Sequence, residues 1–357
     1  MCRTAAFLLA AVLLFSMRAE AISAQKALLL DASTGRVLFE KEADSRSLIA
    51  STTKIMTALI ICEQCNVLDR MRVPKEAVGV EGSSMYLREG EVLTLQELLY
   101  GLMLHSGNDA AVALAIYCGG TVEGFAELMN DKARELGMEN THFSNPHGLD
   151  APDHYSTARD LATLARYAME DPIFRQTVST KQVKIGERYL TNHNKLLWQV
   201  EGAEGVKTGY TKAAGRILVS AASRDGRRII CVTINAPDDW NDHKTLLERG
   251  FSGYEVRELV QEGEVLGYRY ILGGDGTSVP LVAAEGFSWA MAEGEEADIV
   301  LSPQSFSFAP VAEGAAEGCA YVVLEGQVVG QIPLVWGGSM KEQQKEKAWL
   351  ARLFGGT

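Results

Sequence analysis

The sequence predicts an α/β chain of the α+β kind, an antiparallel sheet flanked by helices followed by a small C-terminal all-β domain. Three observations predict it. Strand-like apolar runs fall at both ends of residues 25–257 with helical stretches between them, so one sheet draws strands from both ends and holds a helical insertion. Residues 55–61 (Ile-Met-Thr-Ala-Leu-Ile-Ile) are apolar on nearly every face of a helix, which places that helix inside a domain. Beyond residue 257, short strand-like runs alternate with Gly-rich turns, the grammar of an all-β unit.

In chain order, residues 1–24 are expected to be a secretory signal peptide outside the fold. Arg3 supplies the positive start, residues 5–17 the apolar run, and Ala19, Ala21 and Ala24 the small residues of a cleavage site. The run is short of the ~20 apolar residues of a spanning helix, which sets it against an uncleaved anchor. Residues 26–41 read as a hairpin, with a turn at 31–35, and a helix follows over 51–65. Thr94-Leu95-Gln96-Glu97 is a capping-box pattern that opens a helix over 94–104. Further helices are expected at 108–117, 122–136 and 156–169, the last ending ahead of Pro172. Strands at 215–223 and 228–235 share the turn Arg224-Asp225-Gly226, and a helix near 242–250 closes the unit. In the domain at 258–336, strands are expected at 279–282, 297–301, 321–324 and 328–333. Residues 337–357 read as an amphipathic tail: Trp349, Leu350, Leu353 and Phe354 share one helical face, with Lys341, Lys345, Lys347 and Arg352 nearby. Such a stripe can lie in a membrane interface. The alternative is a terminal helix docked on its own protein, which the polar start of the segment disfavours.

The formal net charge of −12 excludes nucleic acid as a partner, because phosphate binding needs clustered Lys and Arg. Residues 258–336 hold twelve acidic residues against the single basic Arg269, a net of −11, so nearly all of the charge sits in the β domain. Of six cysteines, Cys2 leaves with the leader, and the remaining five do not make a disulfide scaffold. Cys62-Glu63-Gln64-Cys65 has half of a zinc-site spacing but no second CxxC or HxxxH, so no metal and no cofactor are expected. Cys62 continues an apolar helix, and core packing is preferred for it over a labile disulfide with Cys65.

Three short motifs carry chemistry. Ser51-Thr52-Thr53-Lys54 is an SxxK that sets a hydroxyl and an amine one helical turn apart, within reach of each other. A serine hydroxyl is a weak nucleophile until a base takes its proton, and an amine serves as that base once burial and nearby positive charge lower its pKa. Ser106-Gly107-Asn108 falls in the break between two helices, where a second hydroxyl can relay a proton and a carboxamide can hold a substrate amide. Lys207-Thr208-Gly209 opens the strand-rich region. Its cation and hydroxyl can bind a terminal carboxylate, and Gly209 lets a peptide approach the strand edge. Singly these motifs are weak; in this order and these contexts they are a specific set.

With them, the sequence resembles the penicillin-recognising serine enzymes, and specifically the low-molecular-mass D-alanyl-D-alanine carboxypeptidases of peptidase family S11. The resemblance extends over residues 26–255: the hairpin at 31–38, the turn at 141–150, the segments 155–160 and 192–198, and the extended third motif Lys207-Thr208-Gly209-Tyr210-Thr211. It implies a penicillin-binding-protein or β-lactamase-like fold, and with the leader and the tail stripe the expectation is an exported enzyme, peripheral on the outer face of the cytoplasmic membrane. By that resemblance Ser51 is acylated, Lys54 is the general base, and Ser106 passes a proton to the departing D-alanine. Asn108 orients the acyl chain, Lys207 and Thr208 hold the substrate carboxylate, and the N–H groups of Ser51 and Tyr210 form the oxyanion hole. The implied partners are peptidoglycan stem peptides, with β-lactams as acylating inhibitors. Ile49 and His193 depart from the family pattern, and His193 stands where some relatives carry Arg. A class A β-lactamase is disfavoured, since there is no ExxLN loop and the middle motif is SGN. A transpeptidase or endopeptidase with the same site, and a non-catalytic wall-binding protein, are the remaining alternatives.

Overall fold

The computed structural model describes residues 22–302 and 306–343. The expected leader through residue 21 and the tail from residue 344, with its Trp349 to Phe354 stripe, lie outside the described residues.

β1 (Lys26–Asp31) and β2 (Val37–Lys41) form the first hairpin. Asp31 shapes its turn, accepting from the Thr34 N–H at 2.9 Å and from Ser33 Oγ at 2.6 Å. The chain then enters a tight 3-10 turn over Ala50–Thr53 before α1 (Lys54–Gln64). The helix expected from residue 51 therefore begins with a narrower turn that carries Ser51. From Lys54 to Ile61 every residue of α1 is at most 1% exposed, as an all-round apolar helix requires.

β3 (Arg70–Arg72) pairs with β4 (Val92–Thr94), and α2 (Leu95–Leu104) starts on a formed capping box. Thr94 Oγ1 accepts from the Glu97 N–H at 3.2 Å, and Glu97 Oε2 from the Thr94 N–H at 2.7 Å. Then come α3 (Asn108–Gly119), α4 (Val122–Glu135) and α5 (Ala158–Ala168). Pro172, a stop signal in the sequence, also starts α6 (Pro172–Ser179): a missing N–H costs nothing at a first helical position, and Asp171 caps the Phe174 N–H at 2.8 Å. The hairpin of β5 (Gln182–Ile185) and β6 (Arg188–Thr191), and α7 (Leu196–Gln199), are likewise unanticipated, being four residues each and too short to show a period. β7 (Ala203–Thr211), β8 (Gly215–Arg224), β9 (Arg227–Ile234) and α8 (Asp239–Gly253) complete the unit.

The main sheet has the order β2-β1-β9-β8-β7 and is antiparallel throughout, with strands from both ends of the unit. Its two faces are both covered. Leu28, Leu30, Ile230 and Val232 pack into the large core with α1, α2 and α5, while Leu29, Ile229 and Cys231 face Leu246 and Leu247 of α8. The alternation along β1 and β9 is the period-2 pattern of a sheet sandwiched between helices.

β10 (Tyr254–Val260) contains residue 257 and leads into β11 (Val265–Leu272), β12 (Ser278–Ala283), β13 (Phe287–Ala292), β14 (Ala297–Leu301), β15 (Phe306–Phe308), β16 (Ala316–Leu324) and β17 (Gln327–Trp336). Six of these make a sheet of order β14-β16-β17-β12-β11-β15, and β10 pairs with β13. Val279, Leu281 and Ala283 alternate into a core that also takes Trp336 and Met340. Arg269 is 2% exposed and binds Glu317 at 2.6 Å, so the one cation of this acidic segment is spent inside it. Arg36 joins the two units with a bidentate grip on Glu295 at 2.5 and 2.6 Å. Among the described residues no single helix is long and apolar enough to cross a membrane.

Candidate active site

A cleft of ≈ 380 Å³ opens where the Ser51 turn, the α2–α3 break and β7 meet, and Ser51, Ser106, Thr208, Tyr210, Arg216 and Trp240 line it. A wider depression at the junction of the two units is lined by Arg224, Arg227, Tyr254 and Arg257, with no residue of the three motifs.

The backbone that presents the two serines is strained. Ala50 (φ 44°) and Ser106 (φ 61°) occupy the left-handed region, at a cost of roughly 1–2 kcal/mol each for a residue with a side chain. Local bonds hold them there. Thr53 Oγ1 donates to the Ala50 carbonyl at 2.8 Å, and the Asn108 N–H to the Ser83 carbonyl at 2.7 Å. Asp109, 1% exposed, takes the N–H groups of Met85 and Leu87 at 3.1 and 3.0 Å and Ser84 Oγ at 2.6 Å, tying that loop to the start of α3.

Lys54 is completely buried. Its Nζ lies 3.0 Å from Ser51 Oγ, 2.7 Å from Asn108 Oδ1 and 2.5 Å from the His147 carbonyl. Burial first, and then the charge of Lys207, push its pKa well below the usual lysine range, while Asp109 opposes them. An amine held neutral can donate its two protons to the Asn108 and His147 oxygens and turn its lone pair to the Ser51 hydroxyl. Lys207 is 1% exposed, donates to the Thr208 carbonyl at 2.9 Å, and is lowered by burial to about 7.

Two residues that the sequence assigns to the substrate have partners within the protein. The sequence assigns Asn108 to the substrate, but its oxygen accepts from Lys54 and its Nδ2 donates to the Glu81 carbonyl at 2.6 Å, so both ends of the amide are engaged. The sequence assigns Lys207 to the substrate carboxylate; its side chain is 1% exposed, and its Nζ donates to the Thr208 carbonyl. Asn108 is hydrogen-bonded to Lys54, and the Lys207 charge lowers the Lys54 pKa. Ser51, Ser106, Thr208, Gly209 and Tyr210 do line the cleft. A Cβ on Gly209 would stand 3.3 Å from the Ser51 nitrogen, so β7 passes tightly against the turn.

Other contributors have no motif to announce them. The 141–150 turn lies beneath Lys54: Thr57 Oγ1 donates to the Pro146 carbonyl at 2.7 Å, and a Cβ on Gly148 (φ 90°) would lie 1.8 Å from the Ala50 oxygen. His154 accepts the Ser144 N–H on Nδ1 at 3.0 Å, so its Nε2, 2.7 Å from Thr53 Oγ1, carries the proton. Its pKa is lowered to about 4, chiefly by burial, which keeps it neutral. On the far wall the Arg216 guanidinium binds Asp239 at 2.7 Å and lies 5.7 Å from the Trp240 ring centre. Among the described residues Arg216 Nε is buried without a partner, although the side chain as a whole is 42% exposed. His193, lined up beside His105 at 5.1 Å between ring centres, also faces the cleft. Among the described residues no cluster of His, Cys, Asp and Glu is arranged to hold a metal.

A buried SxxK amine lies against a strained serine turn, with a KTG strand beside it, an arrangement in which an amine can activate a hydroxyl. The family model for D-alanyl-D-alanine carboxypeptidases matches residues 14–238, and the model for the C-terminal domain of penicillin-binding protein 5 matches 254–342. The chain belongs to the D-alanyl-D-alanine carboxypeptidase family, a family of hydrolases. It is 32% identical over 335 residues to the carboxypeptidase DacF of Bacillus subtilis, covering 89% of this chain and 86% of that one. The structure of penicillin-binding protein 5 from Haemophilus influenzae superposes with a TM-score of 0.80 at 30% identity, covering 90% of this chain and 98% of that one. A mutant of the Streptomyces K15 DD-transpeptidase matches with a TM-score of 0.63 at 35% identity, over 65% of this chain and 99% of that one.

The Lys207 charge lowers the Lys54 pKa, so removing it must raise that pKa. In Lys207→Met the acid limb of kcat/KM for a D-alanyl-D-alanine peptide is expected to move to higher pH. A pH–rate profile identical to wild type, or shifted to lower pH, contradicts this electrostatic role.

Proposed function

We propose that this protein removes the terminal D-alanine from peptidoglycan pentapeptides through an acyl-enzyme on Ser51, and that penicillin acylates the same oxygen. The observation that supports this best is the buried Lys54 amine 3.0 Å from Ser51 Oγ, held by two further oxygens. Lys54 takes the Ser51 proton as Oγ attacks the D-alanyl-D-alanine carbonyl. The N–H groups of Ser51 and Tyr210 receive the oxyanion, with donors fixed in advance by the turn and the strand. The proton reaches the leaving amine through Ser106, the C–N bond breaks and D-alanine departs. Water then attacks the ester, its oxygen bonding to the acyl carbon and one of its protons passing to Ser51 Oγ as the ester C–O bond breaks.

Thr208 and Arg216 grip the terminal carboxylate. An exposed guanidinium, oriented by Asp239 and Trp240, offers a bidentate donor pair that the buried Lys207 does not. Lys207 and Asn108 serve the reaction by setting the charge and position of Lys54, and Gly209 leaves room for the peptide beside β7.

Residues 25–257 constitute the catalytic domain and 258–336 an acidic spacer that keeps the cleft away from anionic surfaces. Residues 1–24 direct export, and the tail at 337–357 rests on the outer face of the cytoplasmic membrane. A transpeptidase reading is favoured by one observation, the 35% identity to the K15 DD-transpeptidase mutant.

Incubation with a muropeptide pentapeptide, an acceptor amine and mass detection separates these readings. The expected product is the tetrapeptide plus free D-alanine; a product joined to the acceptor in place of tetrapeptide overturns hydrolysis as the main reaction. Ser51→Ala is expected to be folded by circular dichroism and to give no penicillin adduct by intact mass, and an undiminished adduct removes Ser51 as the nucleophile. Arg216→Gln is expected to raise KM about tenfold or more for a peptide with a free carboxylate, the loss of one charged hydrogen bond, and to leave its C-terminal ester nearly unchanged. Equal losses for acid and ester count against the Arg216 contact.

A further inference from the structure

Sequence alone brings Cys62 and Cys65 together, three residues apart; the structure makes a different pair. Cys65 is the C-cap of α1, in extended backbone (φ −122°, ψ 147°), whereas Cys62 stays within the helix. Cys118 is in the last turn of α3, a helix that packs on α1. Its Sγ lies 3.8 Å from Oε1 of Gln64, the residue next to Cys65, and the Cys65 and Cys118 thiols are close enough that each shifts the ionisation of the other. Tyr117 Oη donates to Asp69 Oδ2 at 3.1 Å, tying the same end of α3 to the segment that follows α1. Both thiols are free, and both lie half-buried at the margin of the main core.

We propose that Cys65 and Cys118 are a disulfide-forming pair that staples the C-terminal ends of α1 and α3. A bridge needs the sulfurs to close to about 2.05 Å, and Cys65 has left the helix, so its backbone is not locked by helical hydrogen bonds against that approach. The oxidant is a disulfide, R–S–S–R. One protein thiolate attacks it and expels R–SH, the second attacks the mixed disulfide and expels the other R–SH, and the two cysteine protons leave with the departing thiols. In the cell this oxidant comes with the export proposed above, since such bonds persist in oxidising compartments.

Burial raises both thiols in the folded chain, Cys118 to about 12, so little thiolate is present once the site has closed. The bond therefore forms while the chain folds and then stays, as a structural tie and not a cycling switch. Its placement has a functional consequence. α1 and α3 begin with Lys54 and Asn108, and the bond fixes their other ends, about 16 Å away along helices of 11 and 12 residues. It also closes a loop of roughly fifty residues in the unfolded chain, which favours the folded state.

The test is refolding of the full chain in a buffer of reduced and oxidised glutathione, followed by alkylation, non-reducing peptide mapping and thermal melting. This needs no export, so its failure is distinct from failure of that reading. The expected result is a linked peptide pair containing Cys65 and Cys118, lighter by two hydrogens than the two free peptides. Reduction, Cys65→Ser and Cys118→Ser should each lower Tm by about 5–10 °C, and Cys62→Ser should keep the linked pair. A linkage that includes Cys62, or alkylation of both Cys65 and Cys118 after oxidative refolding, overturns the proposal. The mapping on the unmodified chain decides the matter even if a serine variant fails to fold.

Discussion

A lysine amine with no exposed surface, set among three oxygen atoms, is the constraint around which this structure is arranged. A charged ammonium there would lack water, and a neutral amine there would be a base pointed at Ser51. The surroundings serve that choice. α1 is apolar on every face, so Lys54 enters the core at its first turn. The 141–150 turn supplies a carbonyl from below, and α3 supplies the Asn108 oxygen from the side. Lys207, equally buried on β7, adds a second reluctant cation close enough to matter to the first.

Much of this is legible in the sequence because it is local. The Ser51–Lys54 spacing, the Thr94–Glu97 capping box and the apolar runs of β1, β8 and β9 are properties of neighbours in sequence, and periodicity shows them. What is not legible depends on distant chain segments. A backbone carbonyl such as that of His147 leaves no trace in residue type. How deeply Lys207 is buried depends on what packs against β7 once the sheet has formed. Arg216 and Asp239 meet only because β8 lies beside the start of α8, and Cys65 and Cys118 only because two helices end together. The short α6 and the β5–β6 hairpin escape for a simpler reason, since four to eight residues do not complete enough turns or alternations to read.

The C-terminal β domain carries most of the net charge of the chain. Its acidic residues stand on a small sheet whose core is apolar and whose one cation is buried against Glu317, so the negative surface has little internal compensation. The Arg36–Glu295 grip keeps that surface in a fixed relation to the sheet that carries the cleft. The site itself stays nearly balanced, with Arg216 against Asp239 and the two buried lysines lowered towards neutrality.

The central claim, that burial and the neighbouring Lys207 charge hold Lys54 well below the ordinary lysine range, is open to direct measurement. In protein labelled with 13C at the lysine ε-carbons, an NMR titration should show one resonance, absent in Lys54→Arg, whose midpoint falls well below the ordinary lysine value of 10.5. A Lys54 resonance that titrates with the surface lysines would mean that the amine is charged when Ser51 must lose its proton, and Lys54 could not then be the base.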